Sequence, residues 1–217
     1  MMATWRPRTL GAWMLLTVAG CSTAAAQDSG ARCCASFDFV LERTIFKVDA
    51  VRLELEVQGD LPDRIAAFLA THGDRRAAAD SVAALYLAAD RVEVRMTFLR
   101  SFSLRRFLDA DRDVMEKLNA VGWISDEERL QLEAENADRF QVLEADGIRH
   151  GDRLEHQVRG DTVTTLYTDV TGNVRIDEVR VGSEQRRMLL GSLFGAGAAF
   201  RNGLLDLVFR RAAADPP

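Results

Sequence analysis

The chain reads as an α+β protein whose antiparallel β-sheet is packed on one side by helices. Three observations predict this. Stretches with a two-residue apolar period stand in blocks between stretches with a helical period, at Glu42–Val57, at Arg91–Phe98 and at three places between Leu154 and Val181. The last three are punctuated by Gly151-Asp152, Gly160-Asp161 and Gly172-Asn173, which is hairpin chemistry and leaves no room for the crossovers that parallel strands require. Strands and helices also come in runs and do not alternate one for one, which is the α+β pattern.

The 217 residues, 47% hydrophobic and 28% charged, supply one domain with a proper core and argue against two. The net charge of -5, with acids interspersed among arginines such as Arg95, Arg100, Arg105 and Arg106, gives no support to nucleic-acid binding. Arg6 and Arg8 precede an apolar run from Leu10 to Ala19 that is too short to span a bilayer and has the flanks of a secretory signal. Residues 1–26 are therefore expected to be a leader and the protein to be exported to a bacterial periplasm. Two cleavage readings stay open. Val18-Ala19-Gly20-Cys21 looks like a lipobox, which would acylate Cys21 and anchor the chain to a membrane; Ala24-Ala25-Ala26 before Gln27 suits ordinary signal peptidase.

Residues 27–36 are small and polar and read as a tether to a domain at 37–210, with 211–217 as a disordered tail. Cys33 and Cys34 are adjacent, with no later cysteine to pair with, so no internal disulfide framework exists. His72, His150 and His156 are scattered, and neither a metal nor a cofactor is expected.

Phe37, Phe39 and Leu41 form a lead-in strand. Glu42–Val57 is then expected as one long strand at the heart of the sheet, with Val51, Leu53, Leu55 and Val57 on its buried face. Before Val51 the parity changes, because Phe46, Val48 and Ala50 become the apolar set. Either a bulge near Ala50 and Val51 restores the face, or Lys47 and Asp49 point inward as a pair under a cleft.

After Gly59, the residues Leu61, Ile65, Phe68 and Leu69 share one helical face, with Pro62 in the first turn and Gly73 at the end. Ser81–Ala89 fits a helix or a short strand. A half-buried strand follows at Arg91–Phe98. Ser103 caps a helix that carries Leu104, Phe107, Leu108, Met115 and Leu118 and ends at Gly122. Ser125-Asp126-Glu127-Glu128 is a capping box that opens a second long helix, through about Glu144. A meander of three strands comes next, at Leu154–Val158, Val163–Tyr167 and Val174–Val181. Helices at Ser183–Phe194 and around Leu204, Leu205 and Val208 close the domain, and Arg210–Pro217 should fray.

The ordered series Ile45-Phe46-Lys47-Val48-Asp49, Met96-Thr97-Phe98-Leu99-Arg100-Ser101-Phe102-Ser103, Gly151-Asp152-Arg153-Leu154, Gly172-Asn173-Val174 and Phe200-Arg201-Asn202-Gly203-Leu204-Leu205 resembles the chalcone isomerase-like superfamily. The resemblance covers roughly Phe39 to Phe209. It implies an open antiparallel sheet covered by helices, with a cleft between them. Members include cofactor-free isomerases, fatty-acid binders and bacterial proteins that look non-catalytic. The enzymes' residues are not matched here. Asp49 stands where they have a threonine, Arg43 aligns with their arginine only through a gap, and Phe102 and Phe107 occupy the region of their tyrosine.

The resemblance and the pattern together point to a non-catalytic binder of a fatty acid or similar apolar carboxylate. Its cleft would be lined by Phe46, Leu53, Met96, Phe98, Leu189 and Leu193, with Arg43 or Lys47 at the head group and Asp49 nearby. Three alternatives stay open: a filled core in which Lys47 pairs with Asp49, a cofactor-free isomerase or lyase in which Asp49 is the base, and a partner-binding envelope lipoprotein without a pocket.

Overall fold

The alternation from Val51 to Val57 does become a strand, with Leu53, Leu55 and Val57 buried and Arg52, Glu54 and Glu56 on the other face. It is not one long strand from Glu42. A computed structural model describes residues 35–42, 49–72, 75–196, 198 and 200–214, and in it Glu42 ends β1 (Ala35–Glu42) and pairs antiparallel with Asp49, which opens β2 (Asp49–Val57). The chain has thus reversed between them. Along this pair Leu41 faces Val51 while Glu42 faces Asp49, so Ala50 is the extra residue. This bulge is one of the two readings of the parity change near Ala50, and it keeps the apolar set of β2 on one face.

The sheet has six antiparallel strands in the order β1-β2-β3-β4-β5-β6, with β3 at Arg91–Phe98, β4 at Arg153–Arg159, β5 at Thr162–Thr168 and β6 at Val174–Val181. β2 is therefore second from an edge, and the middle of the sheet is β3 and β4. The α+β expectation is met in full by this order. Each helix follows a run of strands: α1 (Leu61–Thr71) and α2 (Arg75–Leu87) after β2, α3 (Leu104–Ala120) and α4 (Asp126–Phe140) after β3, α5 (Ser183–Phe194) and α6 (Arg201–Ala214) after β6.

Local chemistry sets most of these boundaries. Ser103 caps α3 by accepting from the Arg106 amide, and Ser125 with Glu128 forms the reciprocal capping box of α4. The ambiguous stretch at Ser81–Ala89 belongs to α2, which buries Ala78, Val82, Ala83 and Tyr86. α4 stops at Phe140 and passes into a 3-10 turn at Gln141–Leu143, short of Glu144. α6 continues to Ala214, beyond the expected fraying point at Arg210.

All six helices pack on the sheet face that carries Leu53, Leu55 and Val57. Two apolar clusters fill this interface. The larger joins β2, β3 and the ends of β4 and β5 to α1, α2, α5 and α6, with Tyr86 stacked on Phe194 at 4.4 Å. The second joins Phe98, Leu154, Tyr167 and Ile176 to Phe140, Leu143 and Ile148. From β2 to β6 the opposite face is mostly charged or threonine, with Leu166, Val179 and Val181 as apolar exceptions on β5 and β6, and is exposed or half-buried.

Candidate functional site

Strand parity puts one row of residues between the two apolar clusters. Leu55 of β2 faces Val94 of β3, Val94 faces His156 of β4, His156 faces Thr165 of β5, and Thr165 faces Glu178 of β6. All five look toward the helices. The row is apolar at one end and polar at the other. On one side of the polar half lie Val158 and Val163, on the other Leu154, Tyr167 and Ile176.

The helices answer the polar half with polar groups of their own. Arg139 of α4, with 6% of its side chain exposed, donates from Nε to Glu178 at 2.5 Å and from Nη1 to Asn136 Oδ1 at 2.6 Å. The buried Asn136 in turn donates to Asp111 of α3 at 2.7 Å. Arg180, two residues on from Glu178, pairs with both Glu178 and Glu135, and the buried Gln185 of α5 donates to Glu135. Isolated buried charge is expensive, and this network offsets the cost by pairing each charge with a hydrogen-bonding partner.

The pairing leaves some valences open. His156 Nδ1 lies 3.0 Å from the buried Thr165 hydroxyl, and no described residue hydrogen-bonds its Nε2. Arg139 Nη2 likewise takes no hydrogen-bond partner among the described residues. Neither nitrogen is sealed from solvent, since the one buried side-chain atom without a partner among the described residues is Arg186 Nε.

Burial sets the charge state of these groups. It lowers the His156 imidazole from 6.5 to about 4, helped by the nearby Arg139 charge, so the ring is neutral at pH 7. Burial also raises the Asp111 carboxyl, against the Asn136 hydrogen bond and the Arg139 charge, which pull it down. For Glu178 burial pushes up, but the Arg180 and Arg139 contacts outweigh it and hold the group below its ordinary value. A neutral imidazole this hard to protonate makes a poor general base near pH 7.

Among the apolar residues on the helix-facing side of β3 and β4, Met96 is the one that is not fully buried. It sits beside Leu154 across the ladder, is half-buried, and packs against both apolar clusters. Of the other residues expected to line a cleft, Leu53, Leu189 and Leu193 are buried in the larger cluster. Phe98, 2% exposed, is packed edge-on against Phe102 and Phe107 and tilted on Tyr167. They are filled core and not free wall. Asp49 opens β2 opposite Glu42. Arg43, Phe46 and Lys47 fall outside the described residues, as do Cys21, Cys33 and Cys34.

Sequence reasoning missed the polar row although its signal was present. His156 stands in phase with Leu154 and Val158, Thr165 with Val163 and Tyr167, and Glu178 with Ile176, so three consecutive strands put a polar residue in the apolar phase. On α4, Asn136 and Arg139 lie on the stripe of Leu132 and Phe140.

Two further polar features are structural. Asp152, buried in the loop before β4, accepts from the Tyr167 hydroxyl at 2.5 Å and from the Arg149 and Val170 amides at 2.7 Å each, which ties that loop to the β5–β6 turn. On the outer face Arg95 bridges Glu54 and Glu155 at 2.9 Å each, over a depression of about 60 Å³ that has room for waters only. Among the described residues no group of His, Cys, Asp or Glu side chains converges to hold a metal.

No family model matches the chain, and no curated protein does. Among solved structures it is similar to the crystal structure of a fatty-acid binding protein of Arabidopsis thaliana. The two share 12% identity with a TM-score of 0.49, over 79% of this chain and 90% of the plant protein. At that level the match says nothing about side chains, and the fold class rests on the strand order and helix placement given above.

Proposed function

We propose that the protein is a non-catalytic binder of an apolar carboxylate of the fatty-acid class, held between sheet and helices with its chain along Met96 and its head group at Arg139 and His156. The observation that supports this is the pair of open nitrogens, Arg139 Nη2 and His156 Nε2, in a nearly dry polar row beside the one half-buried apolar residue that touches both clusters. A guanidinium held in place by Glu178 and Asn136 offers a carboxylate a charged, pre-oriented donor, and a neutral imidazole adds a second. Methionine, flexible and polarizable, can move aside for an alkyl chain at small cost.

Titration of the full chain with dodecanoate by calorimetry tests the reading. Saturable uptake at one site is expected, weakened about tenfold in Arg139→Gln and in His156→Phe, the loss of one charge-assisted or one neutral hydrogen bond. Absence of saturable uptake, or uptake that neither substitution alters in variants that remain folded by circular dichroism, would sink it. Export and acylation belong to the same proposal, on the strength of the leader-like Leu10–Ala19 run and the Val18-Ala19-Gly20-Cys21 motif. The intact mass of the mature protein decides between an acylated Cys21 and a free Gln27 terminus.

A further inference from the structure

A net charge of -5 does not suggest a surface for anions, yet the arginines are not spread evenly. Ten described arginines are spent in ion pairs: Arg95, Arg112, Arg129, Arg139, Arg149, Arg175, Arg180, Arg186, Arg187 and Arg201 all meet carboxylates. Among the described residues Arg64, Arg91, Arg159 and Arg210 meet none; nor do Arg100, Arg105, Arg106 and Arg153, all four exposed. The fold brings these last four to one end of the sheet. Arg100 follows the end of β3, Arg105 and Arg106 lie in the first turn of α3, and Arg153 opens β4 opposite Thr97. The exposed His150 joins them, because the 148–151 segment is bonded to this end through Ile148 with Phe102, the His150 amide with Ser101 Oγ, and the Gly151 amide with the Phe98 carbonyl.

The nearest acids do not cancel this charge. Asp109 on α3 is engaged by Arg112, Asp146 by Arg149 and Arg175, and Asp152 is buried. The arginines are also interleaved with Leu99, Phe102, Leu104, Phe107 and Leu108, all half-buried, four of which pack on the apolar cluster that Met96 borders. Free cations around the accessible rim of an apolar cluster suit a surface that is anionic and apolar a few ångströms deeper. A nucleic acid would use the charges and leave the rim unexplained.

We propose that this end of the molecule docks on an anionic lipid surface, through Arg100, Arg105, Arg106 and Arg153, with the half-buried rim of Phe102 and Leu104 at the headgroup boundary. The inference rests on the binding role proposed above for its purpose, since a carrier of apolar carboxylates must collect and deliver them at a bilayer. Its contacts are separate from those of the site.

The test is cosedimentation of the full chain, carrying Cys21→Ser so that no acyl group forms, with vesicles of phosphatidylcholine alone and with 30% phosphatidylglycerol added. Any insertion of the leader contributes to both vesicle types, so the readout is the difference between them. A preference for the anionic vesicles that falls as salt is raised is expected. Arg100→Glu/Arg105→Glu/Arg106→Glu should cut it by about a hundredfold, at roughly fivefold per removed arginine, whereas Arg64→Glu/Arg91→Glu, which reverses unpaired charge elsewhere, should leave most of it. Equal binding to the two vesicle types, or a preference that the triple variant keeps, overturns the proposal. So does tight binding of a single-stranded oligonucleotide lost in the triple variant while vesicles are ignored.

Dodecanoate titration of the same variant separates the two readings. Unchanged uptake with lost vesicle binding is the expected result. Vesicle binding by a chain that never takes up dodecanoate would leave this surface standing and remove the site.

Discussion

One row of the sheet's inner face is built in two ways. At the β2–β3 end it is Leu55 and Val94, each 1% exposed and surrounded by the large apolar cluster. At the β4–β6 end, in the same register and under the same layer of helices, it is His156, Thr165 and Glu178 under Arg139. The first half gains from every square ångström it removes from water. The second must offset desolvation with pairing, and it ends with two nitrogens still unpaired. The difference teaches where stability and function divide: the dry half holds the fold together, and the polar half gives up some stability for groups able to meet a ligand.

The sharpest way to break this comparison is to open the dry half. Phe194, fully buried and stacked on Tyr86, fills the space between α5 and α2. Phe194→Ala should lower the unfolding free energy by about 4 kcal/mol in urea titration, with dodecanoate uptake retained while the protein is folded. A cost under about 1 kcal/mol would mean that the cluster is looser than its burial implies.

The matching cut in the polar half is Arg139→Met, which leaves Glu178 with Arg180 alone and Asn136 without an acceptor role. The expected loss is about 2 kcal/mol, because Glu178 keeps Arg180 and the buried Asn136 carbonyl oxygen is left without a donor. Arg139→Met with Glu178→Leu should recover most of that loss while still failing to bind dodecanoate. If the double variant is no more stable than the single one, the network stabilises the fold in its own right and the division drawn above is wrong.

Acid titration reports on the same half without substitution. His156 is lowered to about 4 in the folded state from 6.5, so between those values the unfolded chain binds the extra proton. Stability is therefore intact above pH 6.5, falls as the pH drops toward 4, and levels off for this group below that. With the ring half-buried and partly screened, the loss is about 2 kcal/mol over the window. His156→Phe should remove this part of the slope. A wild-type curve flat from pH 6.5 to 4.5 would show that the ring is better solvated than its place in the row suggests.

Much of this was legible in the sequence, and the misses have physical causes. Hairpin glycines and period-two patterning located β3 to β6 and the meander of β4, β5 and β6, and Ser103 and Ser125 located two helix starts, because those signals are local. The reversal between β1 and β2 was hidden because Arg43-Thr44-Ile45-Phe46-Lys47-Val48 holds no glycine, proline or asparagine and reads as more strand. Only the parity slip at Ala50 marked the place. The polar row was hidden for another reason: periodicity assigns faces, and an isolated His156 or Glu178 in an apolar phase looks like noise until three strands and a helix bring such residues together. Met96 was read correctly as facing the helices, but that it stays half-buried where its apolar neighbours on β3 and β4 are buried depends on how the two clusters meet, which no stretch of sequence encodes.

The smallest expected effect is also the one of opposite sign. Burial raises the Asp111 carboxyl above its ordinary value despite Asn136 and Arg139, so ionising it costs more in the folded state than in the unfolded one. An acid whose folded value is raised binds more protons folded than unfolded in the window just above pH 3.8. Its penalty is thus fully present above the folded value and gone below the unfolded one. Asp111→Asn keeps an oxygen for the Asn136 amide and removes the charge. It should stabilise the protein at pH 7, with the gain shrinking as the pH falls toward the ordinary carboxylate range. A stabilising substitution inside a buried network is what a polar row shaped for binding predicts. If Asp111→Asn instead destabilises at pH 7, Asp111 is needed as the counter-charge of Arg139, and the polar half is an optimised ion network in which an incoming carboxylate would find no place.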